Sequence, residues 1–152
     1  MRTVCTGGTN DAGVEITAED YVIRVHDDPS AIPAERWDAL LARQATPTPF
    51  MHHAYLAALH ESGSAVAETG WTPRFVELQR GGVTVGACAL YLKHHSYGEY
   101  VFDWAWAEAY QRHGLAYYPK LVCAVPFTPV PGARLLVRED RKSTRLNSSH
   151  AL

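Results

Sequence analysis

No run in this 152-residue chain approaches the roughly 20 apolar residues of a membrane-crossing helix. Met1 to Gly13 lack the apolar segment of a secretory signal, so the expected compartment is the cytoplasm and no membrane span is expected. Polybasic stretches are absent too: the basic residues are mostly Arg and scattered. The formal net charge is −2, which gives no electrostatic reason to expect DNA as a partner. Cysteine is scarce. Cys5, Cys88 and Cys123 are odd in number, widely spaced and form no CxxC pair, which argues against a zinc ribbon or a disulfide framework. Cys88 and Cys123 lie in apolar runs and read as packing thiols. Neither a P-loop nor a serine-hydrolase elbow is present.

What is there suffices for a packed core, with 47% hydrophobic and 20% charged residues. Residues 1–19 are rich in Gly, Thr and Asp and read as a flexible leader. Tyr21 to Val25, dense in β-branched and aromatic residues, predicts a first strand. A helix is expected from Pro33, with Trp37, Leu40 and Leu41 as its apolar stripe. A second is expected from Phe50 to Glu61, capped by Thr48, started by Pro49 and stopped by Gly63. Residues 74–80 and 83–93 predict a hairpin turned at Gly81-Gly82, its second strand apolar on both faces. Tyr100-Val101-Phe102 predicts a short strand, Trp104 to about His113 a helix capped by Asp103, and Leu121 to Val125 a last strand before the loop Pro126 to Gly132.

Histidines in the second helix raise the question of a metal. His53 and His60 share a face but stand two turns, about 10 Å, apart, and His52 points about 100° away from His53. One zinc cannot be held by such a set, and no metal is expected.

The chemistry concentrates between Lys93 and Arg134. Glu99 and Asp103 sit among aromatics, which marks either a hydrogen-bonded structural node or a ligand cleft. As ligand chemistry, either acid orients or deprotonates an amine nucleophile. As structure, Asp103 caps its helix and Glu99 pairs with an Arg. Tyr117 and Tyr118 either donate a proton or stack on substrate, or simply pack. Lys120 and Arg134 either hold a carboxylate or phosphate or are solvated charges. His95 and Ser96 are no dyad by adjacency, because neighbours in an extended segment point opposite ways. The candidate set is Glu99, Asp103 and Tyr118 for catalysis, with His95, Ser96, Trp104, Tyr117, Lys120 and Arg134 for substrate binding.

The element order is similar to that of the GNAT acetyltransferase fold, and the class expected is α/β (α+β), a partial GNAT-like domain with a mixed, mostly antiparallel sheet and helices on both faces. In that fold a glycine loop after the fourth strand holds the pyrophosphate of coenzyme A. Tyr100 to Trp106 contains no glycine and places the Asp103 carboxylate at the helix start, where it repels pyrophosphate.

A more specific resemblance lies in Leu92-Lys93, His95 to Trp104, Trp106-Ala107, Ala109-Tyr110, Gly114, Tyr117 to Leu121, Pro126 to Pro129, Gly132 and Arg134. Upstream, Trp37, Pro49-Phe50, Tyr55-Leu56, Leu59, Ser62 to Ser64 and Thr69 to Trp71 continue it. From Tyr21 to Leu136 the chain resembles the predicted N-acyltransferases labelled FemAB-like or peptidoglycan-biosynthesis proteins within the GNAT superfamily. The resemblance implies transfer of an acyl or aminoacyl group to a small-molecule or peptide amine. It implies acyl-CoA or aminoacyl-tRNA as donor in an intact protein of two GNAT-like halves, and no cofactor in this first half alone. Residues 20–139 would be that half, the C-terminal half its partner, and catalysis by this part alone is not expected. A non-catalytic, acceptor-binding half is the other reading. Asp140 to His150 resembles a translated sequencing adapter, so 140–152 reads as an artefactual tail.

Overall fold

The computed structural model describes residues 21–138, so the leader and the tail lie outside the described residues. Strand β1 (Tyr21–His26) is followed by a 3-10 turn at Pro29–Ala31, capped by the Asp28 carboxylate accepting from Ser30 N–H at 2.8 Å. Helix α1 (Ala34–Leu41) starts behind Pro33 and buries Trp37, Leu40 and Leu41, the predicted stripe. The second expected helix is split. Thr48 caps a 3-10 turn at Pro49–Met51, the chain extends at His52, and α2 (His53–Glu61) begins only there. The interruption lets Met51 turn its carbonyl to the Trp37 indole N–H at 2.8 Å, which joins the two helices.

Strands β2 (Thr72–Pro73) and β3 (Phe75–Arg80) form one arm of a bent hairpin, and β4 (Val83–Cys88) and β5 (Leu90–Lys93) form the other. The arms break opposite each other, at Arg74 and Ala89, and the Arg74 N–H bond to the Leu90 carbonyl at 2.8 Å carries the pairing across. Helix α3 (Trp104–Arg112), β6 (Lys120–Cys123) and β7 (Leu135–Val137) complete the elements. The sheets run β1-β3-β4-β7 and β2-β5-β6. Every ladder among the described residues is antiparallel, giving an α+β architecture.

One expected strand is missing and one unexpected strand is present. Tyr100-Val101-Phe102 forms no strand: residues 94–103 make a turn-rich loop, with Glu99 N–H bonded to the Ser96 carbonyl at 3.1 Å. Strand β7 was not anticipated, being three residues long.

The core is organised by a line of rings. Trp37 meets Phe75 at 5.7 Å between centroids, Phe75 meets Tyr91 at 5.7 Å, Tyr91 meets Trp71 at 5.3 Å, and Trp71 meets Phe127 at 5.5 Å. Ile32, Leu41, Met51, Leu56 and Leu136 pack around it, all buried. Each such side chain contributes roughly 1.5–3 kcal/mol. The line runs from α1 across the hairpin and ends under the 94–103 loop, which gives that loop a rigid floor.

Candidate functional site

Above that floor, β5, the 94–103 loop and β6 bring charged side chains together. Lys93 and Lys120 are paired across β5 and β6. The Lys120 ammonium donates to Glu99 Oε2 at 2.6 Å and to Asp103 Oδ2. Tyr117 Oη donates to the same Asp103 oxygen at 2.9 Å. The Tyr117 and Tyr118 rings stand 5.8 and 5.9 Å from the ammonium and 5.0 Å from each other. Tyr118 Oη and the buried Ser96 Oγ are 2.5 Å apart, and Ser96 Oγ accepts the Asp103 N–H at 3.2 Å. One ammonium is thus enclosed by two carboxylates and two phenols, with the loop folded over it by Ser96.

Lys93 lies beneath, wholly buried. Its ammonium rests 3.6 Å from the Trp71 ring centroid, donates to the Tyr97 carbonyl at 2.8 Å, and stands 3.9 Å from Glu99 Oε1. Glu99 Oε1 and Trp71 Nε1 are both buried without a hydrogen-bond partner. Gly98, at φ 81°, passes so close to the floor that a Cβ there would stand 2.6 Å from Phe127 and 2.8 Å from Trp71 Nε1.

The electrostatics follow. Burial pushes Lys93 down to about 8, against the pull of Glu99 and with the push of Lys120. Burial also works against Lys120, but its bonds to Asp103 and Glu99 outweigh it and hold Lys120 above its ordinary value. Tyr117 is raised, first by burial and then by its bond to Asp103. At neutral pH Lys120 is charged and Tyr117 is a proton donor.

Of the candidate residues, Glu99, Asp103, Tyr117, Tyr118, Lys120 and Ser96 share this cluster. His95 lies beside it, its ring 5.0 Å from Tyr97 and against Gly70. Trp104 does not join: it is exposed and stacks on Phe102 at 5.1 Å. Arg134 is elsewhere, bonded through Nη2 to the Val130 carbonyl in the loop before β7. The acids form a hydrogen-bonded node, but not with the partners expected of them as structure. Asp103 occupies the N-cap position of α3 but makes no side-chain cap, and Glu99 pairs with lysines rather than an Arg. Sequence reasoning missed Lys93 and Trp71 as members. Both fall within the family resemblance, and Lys93 carries the further signal of an isolated charge closing an apolar strand.

A model of a family described as FemAB-like, peptidoglycan biosynthesis/recognition, matches residues 28–151. No curated protein and no solved structure matches the chain. Among the described residues no helix is long and apolar enough to cross a membrane.

Proposed function

We propose that this chain, which belongs to the FemAB-like family of peptidoglycan biosynthesis and recognition, binds the amine acceptor of an N-acyl transfer reaction. One observation carries the reading: an ammonium, that of Lys120, sits between Glu99 and Asp103 with two phenol rings beside it. Charge-assisted hydrogen bonds and aromatic faces are what a primary ammonium on a peptide side chain requires. Lys120 occupies the cradle with the same chemical group, so an acceptor enters as its side chain withdraws.

In the transfer, the acceptor nitrogen bonds to the acyl carbon as the bond from that carbon to the donor's sulfur or oxygen breaks. In this reading Glu99 or Asp103 takes the amine proton, and Tyr118, bonded to Ser96, protonates the leaving group. The donor, acyl-CoA or aminoacyl-tRNA, is assigned to a C-terminal GNAT-like half. Residues 100–106 do not suit its pyrophosphate: they contain no glycine, and Asp103 puts a carboxylate at the start of α3.

A second reading, an acceptor-binding module without activity of its own, is favoured by the raised Lys120 and Tyr117, which hold charge and protons in place at neutral pH. Both readings need the cradle. Calorimetric titration with Nα-acetyl-lysine methylamide tests it: Lys120→Ala should bind this amine at least about tenfold more tightly than the wild-type chain. Adding Glu99→Gln or Asp103→Asn should abolish the gain. Absence of saturable binding by Lys120→Ala overturns the reading.

A further inference from the structure

Away from the carboxylate cluster, Cys88 and Cys123 end β4 and β6 at the break that divides the long hairpin arm. Cys88 pairs with Leu135 of β7, and Leu90, two residues on, pairs with Cys123 of β6. The two cysteines therefore stand diagonally across the junction of the two sheets, Cys123 opposite a position only two residues along the arm from Cys88. Each thiol is the first influence on the other's ionisation, and both residues are half-buried rather than sealed in the core. Cys123 Sγ also lies 3.9 Å from the Arg134 carbonyl, and the Arg134 guanidinium acts on this thiol by its charge. One Arg134 nitrogen, Nη1, is buried without a hydrogen-bond partner. A packing role requires none of this: two apolar thiols facing different neighbours would fill the space equally well.

The pair is asymmetric. Interaction with Cys123 draws Cys88 below the ordinary thiol value, although burial opposes it, whereas the same interaction, followed by burial, pushes Cys123 up. Cys88 is the more readily ionised thiol of the two and suits attack, while Cys123, whose S–H donates to the Arg134 carbonyl, suits resolution.

We propose that Cys88 and Cys123 form a reversible oxidation site that takes a peroxide as oxidant and a low-molecular-weight thiol as reductant. The Cys88 sulfur attacks one peroxide oxygen; an S–O bond forms, the O–O bond breaks, and the departing hydroxide leaves as water after taking a proton. Cys123 then attacks the Cys88 sulfenic acid; the S–S bond forms, the S–O bond breaks, and the second water carries off the Cys123 proton. Two thiols and one peroxide give one disulfide and two waters. Two equivalents of the reducing thiol restore the pair by exchange. The cross-link ties the end of β4 to the end of β6, the strand that carries Lys120 three positions earlier.

The proposal is independent of the amine cradle, and its test leaves that reading untouched. The full chain is treated with hydrogen peroxide and mapped by non-reducing proteolysis and mass spectrometry. The expected product is an intramolecular Cys88–Cys123 peptide pair, about 2 Da lighter than the two thiol peptides and lost on adding glutathione. Cys123→Ser should accumulate a sulfenic acid at Cys88 that dimedone captures, and Cys88→Ser should leave Cys123 unlabelled over the same time. Because the wild-type map needs no substitution, poor folding of a variant cannot hide the result. Linkage of either residue to Cys5 or between molecules, in place of the internal pair, would overturn the proposal. So would over-oxidation of the two without linkage, or dimedone labelling of Cys123 in preference to Cys88.

Discussion

Lys93 carries a charge where a charge is costly. Its side chain is wholly buried, its pKa is pushed to about 8 from 10.5, and burial is the larger cause. Between those values Lys93 is protonated in the unfolded chain and not in the folded one, so its contribution to stability rises with pH across that window and is flat below it. The penalty carried at neutral pH is on the order of 1–3 kcal/mol. Lys93→Met should remove it without stranding Glu99, which keeps Lys120. Urea unfolding from pH 8 to about 9 should show a midpoint that rises more for the wild-type chain than for Lys93→Met; at higher pH the raised Cys123 and Tyr117 act in the opposite sense in both chains. A Lys93→Met chain that retains the wild-type slope would remove the burial argument. Asp103→Asn is the opposite case, because it weakens the bonds to Tyr117 and Lys120 together. A loss of about 1–3 kcal/mol in the same assay is expected, and an unchanged midpoint would show that the cluster contributes nothing to folding. At this scale the sequence was half legible. The acids, tyrosines and Lys120 announced themselves by density, but Lys93 did not, because its burial depends on Trp71, more than twenty positions away.

Among the elements, the hairpin and α1 were readable because their signals are local: Gly81-Gly82 at the turn and an apolar stripe at helical spacing. The loop 94–103 was misread for the converse reason. Tyr100-Val101-Phe102 has the composition of a strand, but the Ser96 hydroxyl holds the Asp103 N–H at 3.2 Å and folds the segment back, leaving no neighbouring strand to pair with. Tertiary contact here overrides propensity. The same loop yields a prediction. Gly98→Ala puts a side chain at positive φ and into Phe127 and Trp71 at once, whereas Gly63→Ala at φ 72° meets open space. The first should cost about 2–4 kcal/mol and the second about 1 kcal/mol in denaturant unfolding. Equal costs would mean that the loop does not sit on the aromatic floor.

Across the whole molecule, apolar surface is unevenly distributed. Helix α3 buries no residue, and Trp104 and Trp106 are 69% and 65% exposed. Tyr97, Tyr100, Val101 and Phe102 of the adjoining loop are exposed as well, with Phe102 stacked on Trp104. Single exposed apolar residues are ordinary, but several aromatics in one short stretch of chain form a surface that water covers poorly. This region borders the carboxylate cluster, so apolar surface and charged cluster lie side by side on the molecule. The chain by itself should therefore self-associate through this surface. Light scattering coupled to size-exclusion chromatography should show a mass that grows from micromolar to hundreds of micromolar protein. Trp104→Ser with Trp106→Ser should suppress that growth while moving the melting temperature by only about 2 °C or less, since neither indole packs into the core. A monomer that stays monodisperse over the whole range would defeat the prediction. Growth that persists in the double variant would move the sticky surface elsewhere, to the exposed Val22, Ile23 and Val25 of the edge strand β1, where an unpaired strand can recruit another chain.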